Sequence, residues 1–213
     1  MYQHILFDLD GTVTDSAEGI LATARYTLAQ FDILSPAEEQ LRRFIGPPLQ
    51  DSFREIFGFS EVESRRAVEI YRSRYRTDGM FRGQVYAGIP QLLEQLCAMG
   101  RTLHIATCKP EPFAVQILEH LGLARYFAYI TGAALDDSRR TKGEVIGCAL
   151  ERIGAPPKRD VVMIGDREHD VLGAKEHHVD CIGVLYGYGT REELEQAGAS
   201  AIAATPADCI PLV

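Results

Sequence analysis

Five short apolar runs rich in β-branched and aromatic residues, at positions 2–7, 102–107, 127–131, 161–164 and 181–185, recur along the chain with helical hydrophobic patterns between most of them. That alternation demands parallel pairing, because a strand can lie parallel to its predecessor only after a crossover long enough to carry the chain back. A doubly wound, Rossmann-like parallel α/β sheet is therefore expected, and ligands of such sheets sit outside the carboxyl ends of the strands. Apolar periodicity places helices at 92–99, 113–121, 145–153 and 171–177. One stretch breaks the rhythm. Residues 15–85 contain no readable buried strand and carry helix-start signatures at Asp15-x-x-Glu18, Ser35-Pro36-x-Glu38 and Ser60-x-x-Glu63, while Gly46-Pro47-Pro48 ends one helix and allows another. The expected organisation is an α/β core from residues 1–14 and 86–213, with an all-α insertion at 15–85.

The first apolar run ends abruptly in two acids and a glycine turn, Phe7-Asp8-Leu9-Asp10-Gly11-Thr12. On an extended chain Asp8 and Asp10 face the same side. Two carboxylates about 4 Å apart, at an effective dielectric of about 20, repel by about 4 kcal/mol, so the pair calls for a cation or a shared proton. A divalent metal with a preference for hard oxygen ligands answers that demand.

The bulk properties narrow the function. A chain of 213 residues, 46% hydrophobic and 24% charged, has material for one well-buried domain and a smaller second one. No apolar stretch approaches the roughly 20 residues that cross a bilayer, and the N-terminus lacks the basic start of a secretion signal, so no membrane partner and a cytoplasmic location are expected. Five cysteines without paired spacing read as reduced thiols. A net charge of -8 disfavours a nucleic acid polymer as partner, since such binding rests on basic side chains. His169, His177, His178 and Cys181 match no standard zinc spacing, and the histidines read as surface groups.

Asp8-x-Asp10-Gly11-Thr12-x-x-Asp15-Ser16 resembles motif I of the haloacid dehalogenase superfamily of phosphohydrolases. Ile105-Ala106-Thr107-Cys108-Lys109-Pro110 resembles motif II, Lys142 in Thr141-Lys142-Gly143 motif III, and Met163-Ile164-Gly165-Asp166-Arg167-Glu168-His169-Asp170 motif IV. Four motifs in this order make the resemblance specific, and the pattern is most similar to the phosphoglycolate phosphatase-like subgroup with a helical cap and to its 5'-nucleotidase-like members. The resemblance implies a magnesium-dependent phosphatase acting on a small phosphorylated metabolite. In it Asp8 is the nucleophile that forms an aspartyl-phosphate, and Asp10 the acid and base. Lys142 holds Asp8 and the phosphoryl group. Thr107, with the N–H groups of Leu9, Asp10 and Cys108, takes the remaining phosphate oxygens. Magnesium (Mg2+) is held by the Asp8 side chain, the Asp10 carbonyl and Asp166, with Asp170 behind them, orienting a bound water or pairing with Lys142.

The insertion at 15–85 resembles a substrate lid, and Gly46, Pro47, Pro48 and Leu49 its specificity loop. Arg65, Arg66, Arg72, Arg74, Arg76 and Arg82 read mainly as solvated partners of neighbouring acids. Cys108 departs from the serine or asparagine frequent at its place, which raises either a redox role or a small buried side chain. A sugar-phosphate mutase is the alternative within the superfamily, but those enzymes use a cap histidine and residues 15–85 contain none. A dehalogenase lacks the second acid kept here as Asp10. A non-hydrolytic phospho-aspartate switch or binding protein is the alternative outside catalysis, although a receiver domain carries no helical insert. Which metabolite is bound, and whether the protein is a monomer or a homodimer, stay open.

Overall fold

The structure is a computed structural model that describes every residue of the chain except Asp137. The chain divides into two compact units, one formed by Met1–Asp15 with Val85–Val213 and the other by Ser16–Gln84.

The first unit is built on strands β1 (His4–Phe7), β4 (Thr102–Pro110), β5 (Phe127–Ala133), β6 (Val161–Gly165), β7 (Asp180–Val184) and β8 (Ala201–Ala203). Between them run helices α5 (Ile89–Ala98), α6 (Glu111–His120), α7 (Lys142–Arg152), α8 (Glu168–Glu176) and α9 (Arg191–Ala197). The strands form one sheet in the order β5-β4-β1-β6-β7-β8, every pair parallel. β1 is central. Phe7 pairs with Ile105 of β4 on one side and Ile164 of β6 on the other, so the chain turns opposite ways from β1 and leaves the carboxyl ends of these three strands side by side. Chain exit and return use two short strands, β2 (Thr14–Asp15) and β3 (Gln84–Val85), which pair with each other.

Alternation along the buried strands sorts side chains into two cores. Ile5, Phe7, Val162 and Ile164 pack with Leu92, Leu93 and Leu96 of α5 on one face. Leu6, Val161 and Met163 pack with Val145, Ile146 and Ala149 of α7 and Val171 and Ala174 of α8 on the other. Both faces are covered, which is why these strands read as continuous apolar runs. Parity then fixes the chemistry: Asp8, next in step after Leu6, emerges on the face of α7 and α8.

The second unit is helical: α1 (Ala17–Ala29), α2 (Glu38–Arg42), α3 (Leu49–Phe57) and α4 (Glu61–Thr77). Its core is aromatic, with Phe44 edge-on to Phe53 at 4.9 Å, Phe53 stacked on Phe59 at 5.6 Å and Phe31 against Phe59 at 4.7 Å between ring centroids. Ser60 caps α4 reciprocally: its Oγ accepts the Glu63 N–H at 3.3 Å, and Glu63 Oε2 accepts the Ser60 N–H at 2.9 Å. The other two helix-start signatures are displaced. α1 begins at Ala17 behind Ser16, and α2 at Glu38 behind Ala37. Among the arginines, Arg65 pairs with Glu61 at 2.8 Å, Arg74 and Arg82 share Asp78, and Arg66 lies over the Phe31 ring. Among the described residues no helix is long and apolar enough to cross a membrane.

Candidate active site

Three strand ends and two helix starts deliver the side chains. Asp8 follows β1, its N–H donating to the Ile164 carbonyl at 2.9 Å, and Asp166 follows β6. Lys142 is the first residue of α7, held there by a capping box in which Thr141 Oγ1 accepts the Glu144 N–H and Glu144 Oε2 accepts the Thr141 N–H. Asp170 sits in the first turn of α8, where its Oδ2 accepts the Arg167 N–H at 3.1 Å and so caps the helix. Its other oxygen is left for the site.

Lys142 is the hub. Its Nζ lies 2.8 Å from Asp8 Oδ1 and 2.6 Å from Asp170 Oδ1, and donates to the Ala106 carbonyl at 3.1 Å. Burial opposes its charge, but Asp170 and Asp8 hold the ammonium protonated well above the usual lysine range. Oxygens of Asp8, Asp166 and Asp170 all lie within 4.8 Å of one another, and all three residues are buried. Burial, and then the carboxylates of Asp170 and Asp8, push the Asp166 carboxyl well above the ordinary range. Hydrogen bonds from the Tyr188 N–H (2.8 Å) and the Thr12 hydroxyl (3.1 Å) work against that rise and fix the side chain.

Asp10 is organised separately. Its Oδ2 pairs with Lys109 Nζ at 2.7 Å, whereas Asp8 lies on Lys142, which it shares with Asp170. Thr107 is buried near the end of β4 and its Oγ1 accepts the Lys109 N–H at 3.2 Å. The N–H groups of Leu9 and Asp10 donate to no acceptor among the described residues. Burial pushes the Cys108 thiol up to about 12, which disfavours the reactive thiolate. Gly46, Pro47, Pro48 and Leu49 belong to the helical unit, where Pro48 precedes the first turn of α3.

The donor set fits a divalent cation. Fully ionised, Asp8, Asp10, Asp166 and Asp170 would carry four negative charges against the two ammonium groups of Lys109 and Lys142, an excess of two in a buried place that the raised Asp166 carboxyl reflects. All the candidate ligand atoms are hard oxygens, as magnesium requires.

Three contributors lie outside the residues singled out from sequence: Lys109, Thr12 and Tyr188. The first two stand inside motifs already recognised, so position in the motif was a usable signal. Tyr188 acts on Asp166 through its backbone N–H, and its phenol donates to Asp15 Oδ1 at 2.8 Å. Its only sequence mark is the run Tyr186-Gly187-Tyr188-Gly189. A Cβ at Gly187 would collide with Asp166 Cβ and the Gly11 carbonyl, so this turn is glycine-rich because it wraps the buried acid.

Fold and site together define a class: an α/β phosphohydrolase, with its candidate site at the carboxyl edge of a parallel sheet. The chain belongs to the haloacid dehalogenase-like hydrolase family, whose model matches residues 5–184. A 5'-nucleotidase of Pseudomonas aeruginosa is 45% identical over 193 residues, covering 91% of this chain and 87% of that protein. The tyrosine-protein kinase PtkA of Mycobacterium tuberculosis is 36% identical, covering 94% of this chain and 68% of the relative. A crystal structure of a predicted phosphatase from Clostridium acetobutylicum superposes with a TM-score of 0.94 at 45% identity, covering 98% and 96% of the two chains.

Proposed function

We propose that this enzyme is a magnesium-dependent phosphatase that hydrolyses a small phosphate monoester through an aspartyl-phosphate on Asp8. One observation carries the reading: Asp8 shares the buried Lys142 with Asp170, beside Asp166, in a cluster two positive charges short. Phosphoryl transfer needs positioning and charge neutralisation more than covalent assistance, and such a cluster supplies both. A bound magnesium would neutralise charge on the phosphoryl oxygens, held by Asp8, Asp166 and the Asp10 carbonyl, with Asp170 behind them.

The chain's own residues do the rest. Lys142 screens Asp8 as it approaches phosphorus and keeps its attacking oxygen oriented. Thr107 and the N–H groups of Leu9, Asp10 and Cys108 are the donors assigned to the transferring oxygens. Asp10 gives a proton to the leaving oxygen, then takes one from the water that attacks the aspartyl-phosphate. The helical unit, with Gly46, Pro47, Pro48 and Leu49, is assigned the choice of substrate. Similarity to a 5'-nucleotidase and, at 32% identity, to the phosphoglycolate phosphatase of Agrobacterium fabrum supports a nucleoside monophosphate or a small phosphorylated acid. Five free thiols fit a reducing compartment, so the cytoplasm is its proposed location.

Steady release of phosphate from p-nitrophenyl phosphate that requires magnesium and is lost in Asp8→Asn is the expected result; magnesium-independent turnover, or full activity in Asp8→Asn, rejects the reading. A phosphate-release panel ranked by kcat/KM then identifies the metabolite. The likeness to PtkA favours one second reading, phosphoryl transfer to a protein tyrosine. Label passing from ATP to tyrosine, with no phosphate released from monoesters, would select it.

A further inference from the structure

Lys109 has no place in the mechanism above, yet it is one of the two ammonium groups buried in the site. A register shift in the β4–β5 pairing falls between Thr107 and Pro110, at the carboxyl end of β4. Irregularities of this kind re-aim side chains beside active sites. Here the local fold is closed by the Lys109 N–H on Thr107 Oγ1 at 3.2 Å, and the Lys109 side chain reaches Asp10 Oδ2 at 2.7 Å. Both side chains are largely withdrawn from water, 5% and 14% exposed, so the contact is not a loose surface ion pair. Asp10 Oδ1, also buried, has no hydrogen-bond partner among the described residues. One oxygen of Asp10 is thus pinned and the other is available.

We infer that Lys109 is a positioning residue that holds Asp10 by Oδ2 so that Oδ1 alone exchanges protons with the leaving group and the attacking water. The inference rests on the reading of Asp10 as acid and base. In the first step Asp8 bonds to phosphorus as the bond to the leaving oxygen breaks, and the proton on Asp10 Oδ1 passes to that oxygen. The Asp10 carboxylate so formed faces the Lys109 ammonium, an attraction that grows as the proton departs and therefore favours the transition state over the ground state. In the second step water loses a proton to Oδ1 while its oxygen bonds to phosphorus, which frees Asp8 and releases phosphate. A lysine that instead gripped the substrate phosphate would act equally on every monoester.

The test compares p-nitrophenyl phosphate with phenyl phosphate, which share a ring but differ in the acidity of the alcohol released. Phenol is the weaker acid and needs the proton more. The ratio of the two kcat/KM values, measured on one sample, is independent of how much of a variant is folded. In Lys109→Met the ratio is expected to shift about tenfold against phenyl phosphate, a part of the roughly 10²–10⁴-fold that general acid catalysis supplies, because Asp10 itself is still present. Asp10→Asn should shift it at least as far, and the double variant no further than Asp10→Asn alone. If Lys109→Met lowers both substrates by the same factor while Asp10→Asn shifts the ratio, the inference fails and the reading of Asp10 stands. If Asp10→Asn leaves the ratio unchanged, the reading of Asp10 fails, and the inference with it.

Discussion

Replacing Asp166 by asparagine should make the metal-free protein more stable while abolishing its response to magnesium. The magnitude follows from the geometry. Oxygens of Asp8, Asp166 and Asp170 lie within 4.8 Å of one another, and two unit charges at that separation repel by about 3.5 kcal/mol at an effective dielectric of about 20. Lys142 stands between Asp8 and Asp170 and offsets about one of the two repulsions that an ionised Asp166 feels, leaving about 3.5 kcal/mol that the metal-free state meets either as repulsion or as the cost of protonating the raised Asp166 carboxyl. Asparagine keeps the volume but can accept only one of the hydrogen bonds from Thr12 and Tyr188, a loss of about 1–2 kcal/mol. The balance is a gain of about 2 kcal/mol, or about 4–8 °C in Tm for a chain of this size. Calorimetry in a chelator measures it directly, and repetition with excess magnesium should raise the wild-type Tm but leave the variant where it was. A metal-free variant less stable than wild type, or one still stabilised by magnesium, would refute the reasoning.

Other expectations are more local. Burial, followed by the neighbouring His4, lowers the His104 pKa to about 4. Its neutral form is the folded one, so this contribution is complete above pH 6.5 and is lost as pH falls toward 4, by about 3 kcal/mol in all; the urea midpoint should fall over that window in wild type and much less in His104→Gln. Gly187→Ala should displace Asp166, costing about 1–3 kcal/mol, and should weaken the magnesium-induced rise in Tm. Ser60→Ala removes the cap of α4 and should cost about 1 kcal/mol in calorimetry, with kcat on p-nitrophenyl phosphate retained.

The core of this fold was legible because its strands are buried on both faces. Runs such as 161–164 stand out from the surrounding helical periodicity, and the structure places β6 at Val161–Gly165. Ala201–Ala203 was not legible, since three residues at a sheet edge, two of them alanine, carry no β signature. The helix at Asp15 was misplaced for a different reason: an acid three residues before a glutamate fits a capping box, but this one serves β2 and accepts the Tyr188 phenol 173 residues away. Of the side chains brought together at the candidate site, Asp8, Asp166 and Lys142 lie in stretches that motif order marks in the sequence. The pairing of Asp10 with Lys109 was not, because it depends on a register shift in β4 that no local pattern announces. Backbone donors such as the Tyr188 N–H leave no side-chain trace at all.

The most direct measurement of the central claim is acid quenching of the enzyme during turnover, followed by borohydride reduction and peptide mass spectrometry. A phosphorylated aspartate is reduced to homoserine, so homoserine should replace aspartate at position 8 and nowhere else, only when substrate and magnesium are both present. Steady turnover with Asp8 unmodified, or with the label on another residue, would contradict the account.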